Sequence, residues 1–296
     1  MRLDNHQWLA LAGQIVAGCG KRIDPASARS VGGGCIHTAL AVDSDEGTLF
    51  LKLNRADAAE TLAAESDGLK TLAASGAVRV PTPFAHGVCD GLAWLAMEWL
   101  ALAPRADASA HRHLGEALAA LHALPAERFG YHRDNAIGST AQPNAWRDEW
   151  PAFVVDQRLR FQLDLARHNG HGDALAEPGA ALLERLADWS APHVRPALNH
   201  GDLWGGNWGV LDSGAPVVFD PAAFYGDPEA DIAMTMLFGG FDEPFYEAYR
   251  ATHPEPDDGE FRRGVYALYH VLNHLNLFGG GYLEQAVALM RALVRR

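Results

Sequence analysis

The sequence predicts an α+β protein in two lobes, a small β-rich N-lobe over residues 1–100 and a larger helical C-lobe over residues 101–296. Three observations predict it. Short β-type runs crowd the first hundred residues around one alanine-rich helical stretch. Helical spacing of apolar residues dominates from about Ala108 onward. Within that helical half, Ala197–Asp220 reads instead as strand, loop, strand, turn and strand.

Taken in order, Ser30–Ala41 gives way to a strand over Thr48–Leu53, with a turn-like break at Asp43–Gly47. Ala56 to Ala74 has helical spacing and ends before Gly76, a suitable cap. Val78–Val80 and Pro81–Pro83 read as an extended exit, and Gly91 to Leu100 as a buried strand leading to Pro104. Leu114, Leu118 and Leu121 mark a helix over His111–Ala123, stopped by Pro125. Further helices are expected at Trp146–Arg167, Ala174–Trp189, Pro228–Phe238 and Phe261–Phe278. Between them, Asp212-Ser213-Gly214 supplies the turn of a hairpin that ends in Pro216–Phe219.

Composition bounds the function. The chain is 48% hydrophobic and 21% charged, as ordinary globular proteins are, and carries a formal net charge of −13. That field repels phosphodiester backbones and anionic membranes, so neither nucleic acid nor membrane is expected as a partner. The apolar run Ala93–Ala103 is interrupted by Glu98 well short of a span. Residues 1–20 lack the pattern of a secretory leader, and a soluble cytoplasmic protein is the expectation. The three cysteines, Cys19, Cys35 and Cys89, form neither a disulfide framework nor a zinc pair; Cys19 and Cys89 read as small buried residues.

Asp202, Asn207 and Asp220 carry the chemistry. Phosphoryl transfer needs a carboxylate to orient the attacking hydroxyl and take its proton, and oxygen ligands for the magnesium on the nucleotide phosphates. In kinases a metal-binding asparagine follows the base by five residues, and a hairpin then delivers a metal-binding aspartate. Asp202 to Asn207 is five residues, and Asn207 to Asp220 is thirteen, spanned by the hairpin. Singly, each of these residues is more often a turn or cap residue; the joint spacing selects the catalytic reading.

Lys52 follows Leu49-Phe50-Leu51 and is one of three lysines in the chain. A strand lysine there holds nucleotide phosphates and pairs with a helix glutamate. Glu65 is the better partner and Glu60 the competitor, while an exposed edge-strand lysine is the plain alternative. Gly32-Gly33-Gly34-Cys35 precedes that strand, and adjacent glycines let backbone N–H groups approach phosphate. It is neither a Walker loop nor a good dinucleotide fingerprint. Met97, Glu98 and Leu100 fall where an interlobe linker would meet the adenine edge; a buried strand with no ligand has the same pattern. Glycine loop, lysine strand, glutamate helix, linker and catalytic loop follow in kinase order.

At this level the wording of several segments resembles the fructosamine kinase (ketosamine 3-kinase) family, a branch of the protein-kinase-like, aminoglycoside-phosphotransferase-like fold. The segments are Gly32–Ile36, Leu49–Lys52, Met97–Leu100, His200–Trp208, Phe219–Asp227, Asp231–Phe241 and Tyr269–Asn276. The resemblance implies ATP- and Mg2+-dependent phosphorylation of the 3-hydroxyl of a ketosamine, often on a protein lysine. The product then eliminates and frees the amine, a deglycation repair. It implies Asp202 as base, Asn207 and Asp220 as magnesium ligands, Lys52 with Glu65 as phosphate clamp, and Asp231 as a brace for the loop. Pro-Ala after Asp220, Gly201 before the base, and the short run from Asp220 to Asp231 depart from protein kinases and leave small-molecule kinase activity intact. His37 stands where the family commonly has asparagine.

Weaker signals remain. Trp204 is expected either to stack on the sugar or to pack the loop. His270 and His274 share a helix face, as packing residues or as a wall of the sugar pocket; the third ligand and the glutamate that a zinc motif needs are missing. Cys35 is either a small loop residue or a redox-sensitive thiol, with a redox-linked dimer as one outcome, although a monomer suffices for the chemistry. Two other readings stay open: a phosphotransferase for an aminoglycoside, choline or homoserine-like alcohol, and a catalytically silent nucleotide-binding scaffold. The residues do not choose among fructose, ribulose and erythrulose, nor between free and protein-borne amines.

Overall fold

The computed structural model describes residues 3–32 and 37–296, and the chain divides into two compact units. The first unit comprises the residues up to Ala110 together with Gly206–Pro221. It opens with a helix that is not among the sequence expectations, α1 (Asn5–Cys19). Asp4 caps it: Gln7 N–H donates to Asp4 Oδ1 at 2.9 Å, and the Gln7 side chain accepts from Asp4 N–H at 3.2 Å. Its inward face is only Leu11 and Ile15, while Leu9 is 75% exposed, so the apolar stripe is blurred in sequence.

Five antiparallel strands follow: β1 (Arg29–Ser30), β2 (Thr38–Ser44), β3 (Gly47–Arg55), β4 (Pro83–Cys89) and β5 (Leu92–Glu98), in the order β1-β2-β3-β5-β4. β4 begins where the expected extended exit ends, at Pro83, and the strand itself is not among the sequence expectations. It is an edge strand opening on proline, which needs no ladder donor there. Leu49, Leu51 and Leu53 of β3 point to the α1 side and join Leu11, Ile15, Leu40, Val42 and Trp94 in one core. The period of two therefore sends Phe50, Lys52 and Asn54 to the opposite face. Helix α2 (Ala59–Ala74) packs on strands β3, β4 and β5. Cys19 and Cys89, expected buried, are half-buried.

The second unit comprises His111–Gly205 and Ala222–Arg296. It begins within α3 (Ala108–His122), whose first three residues belong to the first unit, then has the hairpin β6 (Asn135–Ile137) and β7 (Thr140–Gln142). The expected helix from Trp146 is α4 (Trp150–Val154) and α5 (Phe161–Ala166), joined by a π-helical turn at Val155–Arg160; a second such turn leads to a kink at Gly170, φ +89°. Then come α6 (Gly172–Ala187) and β8 (Ala197–Asn199). The next hairpin, β9 (Trp208–Val210) with β10 (Pro216–Val218), has the expected turn but belongs to the first unit, not to the helical half. Ala103 N–H donates to Val210 O, and Val218 N–H to Arg79 O, which tie it there.

β11 (Phe224–Gly226) returns to pair with β8. Four helices close the unit: α7 (Glu229–Phe238), α8 (Glu243–Arg250), α9 (Gly259–Phe278) and α10 (Gly281–Val294). Helices α8 and α10 were not singled out in sequence; α8 is short and buries only Phe245 and Tyr249. An aromatic and aliphatic core of Trp150, Phe153, Phe224, Val265, Leu268 and Leu272 packs α4 against α9. Among the described residues no helix is long and apolar enough to cross a membrane.

Candidate active site

Lys52 is buried, on the face of β3 turned away from the leucine core. Its Nζ donates to Glu65 Oε1 of α2 at 2.7 Å and to Asp220 Oδ1 at 2.5 Å. Burial works against the ammonium, but the two carboxylates outweigh it and raise its pKa. Burial pushes the Glu65 carboxyl up to about 7, with Lys52 pulling it back down. These directions oppose one another within one ion pair. The short contact, together with the second carboxylate on Asp220, decides for a charged lysine. The competitor Glu60 lies in the first turn of α2 and is exposed.

Asp220 directly follows the hairpin and adopts φ +59°, a left-handed conformation in a non-glycine residue. That conformation costs on the order of 1 kcal/mol and persists where the surroundings impose it. Its side chain is 41% exposed, so one carboxylate edge meets Lys52 while the group remains accessible. Asn207 is buried at the start of the same hairpin. Its Nδ2 faces Asp220 O at 3.5 Å, and its own carbonyl accepts from Phe219 N–H at 3.0 Å. The long amide contact orients the side chain weakly and turns Oδ1 the other way. An amide oxygen and a carboxylate, brought together across thirteen residues, are hard oxygen donors of the kind Mg2+ takes alongside phosphates.

Asp202 lies in the second unit, on the loop after β8. Asp231, buried on α7, holds that loop: its carboxylate accepts His200 N–H at 2.7 Å and Gly201 N–H at 2.8 Å. Burial alone would raise the Asp231 pKa, but His122, His200 and the Gly201 amide lower it. His122 sits behind it, with Nε2 3.2 Å from Asp231 Oδ2 and Nδ1 2.9 Å from the Tyr249 hydroxyl. Sequence reasoning missed His122, although it is the one polar residue near the end of an otherwise apolar helix stripe, which was a usable signal. Gly201 has φ +83°, and a Cβ there would lie 2.1 Å from Ala222 O. This is why no arginine can precede Asp202.

Trp204 is 38% exposed rather than packed away, and its N–H donates to Asp202 O at 3.2 Å. His270 is buried with no partner for Nδ1, and burial drives its pKa down to about 3. It lines a cavity of about 20 Å³, room for one water, with Gly201, Arg158 and Tyr269. Arg158, also missed, is a buried cation stacked on Phe153, Phe224 and Tyr269, and it donates to Asn144 Oδ1 at 2.7 Å. His274 stands apart from that cavity in an aromatic cluster, its ring 4.5 Å from Phe238 and 5.5 Å from Phe278. Met97 is buried in β5, and Glu98 is engaged: its N–H donates to Thr82 O, and its carboxylate accepts from Arg79 and from Thr82 N–H. Leu100 follows the strand, half-buried. Gly32 is exposed; Gly33, Gly34 and Cys35 lie outside the described residues.

A β-sheet unit with a lysine–glutamate pair and a helical unit with a braced H-G-D loop define the protein-kinase-like class of phosphotransferase folds. An aminoglycoside phosphotransferase solved in ternary complex with AMP-PNP and hygromycin B shares this fold, at 17% identity and a TM-score of 0.63 over 96% of this chain and 97% of its own. The family model for fructosamine kinases matches residues 7–296. A probable ketoamine kinase of Synechocystis sp. is 41% identical over 97% of both chains. The chloroplastic protein-ribulosamine 3-kinase of Arabidopsis thaliana is 37% identical over 90% of this chain and 82% of its own. A structure assigned as a fructosamine-3-kinase from Thermobifida fusca is 30% identical, with a TM-score of 0.79 over 97% of this chain and 99% of its own. The chain belongs to the fructosamine kinase family.

Proposed function

We propose that the chain is an ATP- and Mg2+-dependent ketosamine 3-kinase that phosphorylates sugar adducts of amines and so initiates their removal. The observation that carries phosphotransfer is Lys52, shared between Glu65 and Asp220 and buried on the polar face of the sheet. The names of the relatives support the acceptor, and the AMP-PNP complex of the fold neighbour supports the donor.

In this reading Lys52 clamps the nucleotide phosphates, and Glu65 keeps its ammonium aimed. Asn207 Oδ1 and the Asp220 carboxylate hold Mg2+, which neutralises charge on the phosphates. Asp202 orients the 3-hydroxyl and accepts its proton as that oxygen bonds to the γ-phosphorus and the bond to ADP breaks. Asp231 and His122 keep the base loop in one conformation, so little reorganisation is needed at the moment of transfer. The chain around Met97–Leu100 borders adenine, with the Glu98 amide already committed to Thr82. Trp204, exposed two residues beyond the base, stacks on the sugar or its amine. One chain carries every residue invoked, so a monomer in the ATP-supplied cytoplasm suffices.

The test is ATP consumption with ribuloselysine, fructoselysine and an aminoglycoside panel, with Asp202→Asn as control. Turnover of a ketosamine is expected, falling in the control by a factor on the order of 10² to 10⁴. Turnover confined to aminoglycosides, or absent with every ketosamine, defeats the acceptor assignment. Trp204→Ala should raise KM for the ketosamine more than KM for ATP; equal changes remove the stacking role.

A further inference from the structure

Lys52 does not stand alone on its face of the sheet. The ladder pairs Thr38 with Leu53 and Ala39 with Lys52, and Leu40 with Leu51. Leu40, Leu51 and Leu53 face the α1 core, so Ala39 and Lys52 face away from it. Extending the ladder one pair sets His37 opposite Asn54 on the Lys52 face, with Lys52 as its diagonal neighbour. Diagonal neighbours lie about 7–8 Å apart, within reach of long side chains.

The hydrogen bonds there assign the imidazole's proton. Arg55 N–H donates to Asn54 Oδ1 at 2.8 Å, which fixes the amide orientation and leaves Nδ2 toward His37. Asn54 Nδ2 lies 2.9 Å from His37 Nδ1. An amide N–H₂ is only a donor, so Nδ1 must accept, and the ring proton resides on Nε2. The ring is thus a neutral imidazole whose one donor is Nε2–H. Half-burial and the Lys52 charge favour the same neutral form, holding its pKa down to about 4.

From this geometry we infer that His37 is a second phosphate-binding residue: its Nε2–H donates to a non-bridging oxygen of the nucleotide phosphates that Lys52 clamps. The inference rests on the phosphotransfer reading above. Asn54 is then a positioning residue, holding the tautomer and presenting the ring. A neutral donor suits the position, since a second cation beside Lys52 would repel it, while an N–H adds direction without charge.

Titration calorimetry with MgADP, MgATP and adenosine on the full chain tests it, with thermal melts to verify folding. His37→Ala should weaken both nucleotides by about tenfold, the scale of one hydrogen bond to a charged group, and leave adenosine unchanged. His37→Gln, whose Nε2 can occupy the imidazole Nε2 position, should restore most of that affinity. The ¹⁵N spectrum of the wild-type ring should report a neutral Nε2–H tautomer at pH 7. Nucleotide binding that Lys52→Met weakens and His37→Ala leaves untouched overturns this inference alone. So does equal weakening of adenosine and ATP, or an Nδ1–H tautomer. A wild-type chain that binds no nucleotide overturns the inference together with the phosphotransfer reading.

Discussion

At the residue scale, two positions are held by opposite kinds of constraint. Gly201 is needed because its φ of +83° and the Ala222 carbonyl leave no space for a side chain. Gly201→Ala should destabilise the protein by roughly 2 kcal/mol or more and depress kcat, read by denaturant melts and by initial rates. His270 is constrained by burial instead. Its folded pKa of about 3 lies below the ordinary value of 6.5, so the unfolded chain binds more protons between those limits. Stability is then full above pH 6.5 and falls as pH drops toward 3, by about 2 kcal/mol at pH 5. Replacing His270 with leucine should flatten that part of the stability–pH curve; an unchanged slope would assign it to other groups. Neither effect follows from residue type. Gly201 is visible in sequence as a departure, and its reason is a carbonyl twenty-one residues away.

At the element scale, helix α7 governs the loop that carries Asp202. Asp231 receives two loop amides on one carboxylate, and the His122–Tyr249 pair behind it links α3 and α8 to the same point. Asp231→Ala leaves those two amides unsatisfied and should cost roughly 2–4 kcal/mol, with kcat falling further than KM changes. Steady-state kinetics on the folded fraction separate the two effects. The hairpin of β9 and β10 was legible from Asp212-Ser213-Gly214 because turn chemistry is local. Its membership in the sheet unit was not, since backbone bonds to Arg79 and Ala103 decide it. Helix α1 escaped notice for a related reason. A helix that buries two residues and exposes Leu9 and Val16 carries almost no period.

At the scale of the whole molecule, ligand linkage is the measurable consequence. A nucleotide that binds only the folded chain should stabilise it by about 2.7 kcal/mol at a hundred times its Kd. MgADP should therefore raise the melting temperature of the wild type, and the shift should vanish in Lys52→Met and shrink in Asp220→Ala. An equal shift in Lys52→Met would remove that lysine from the nucleotide site. The net charge of −13 makes the local gathering of cations and metal ligands necessary, because the molecule's overall field disfavours polyphosphate.

The sequence by itself determined the α+β class, the order of the motifs, and the identity of the residues proposed to carry oxygen and ammonium chemistry. Those are properties of period, turn chemistry and spacing, which act over a few residues. Only the tertiary structure decided that Glu65 and Asp220 share Lys52, that His122 stands behind Asp231, and that Asn54 orients His37. It also set His270 into a buried cavity beside Gly201. Each of these pairs residues far apart in the chain, or across a sheet, and their meeting depends on register and packing rather than on local composition.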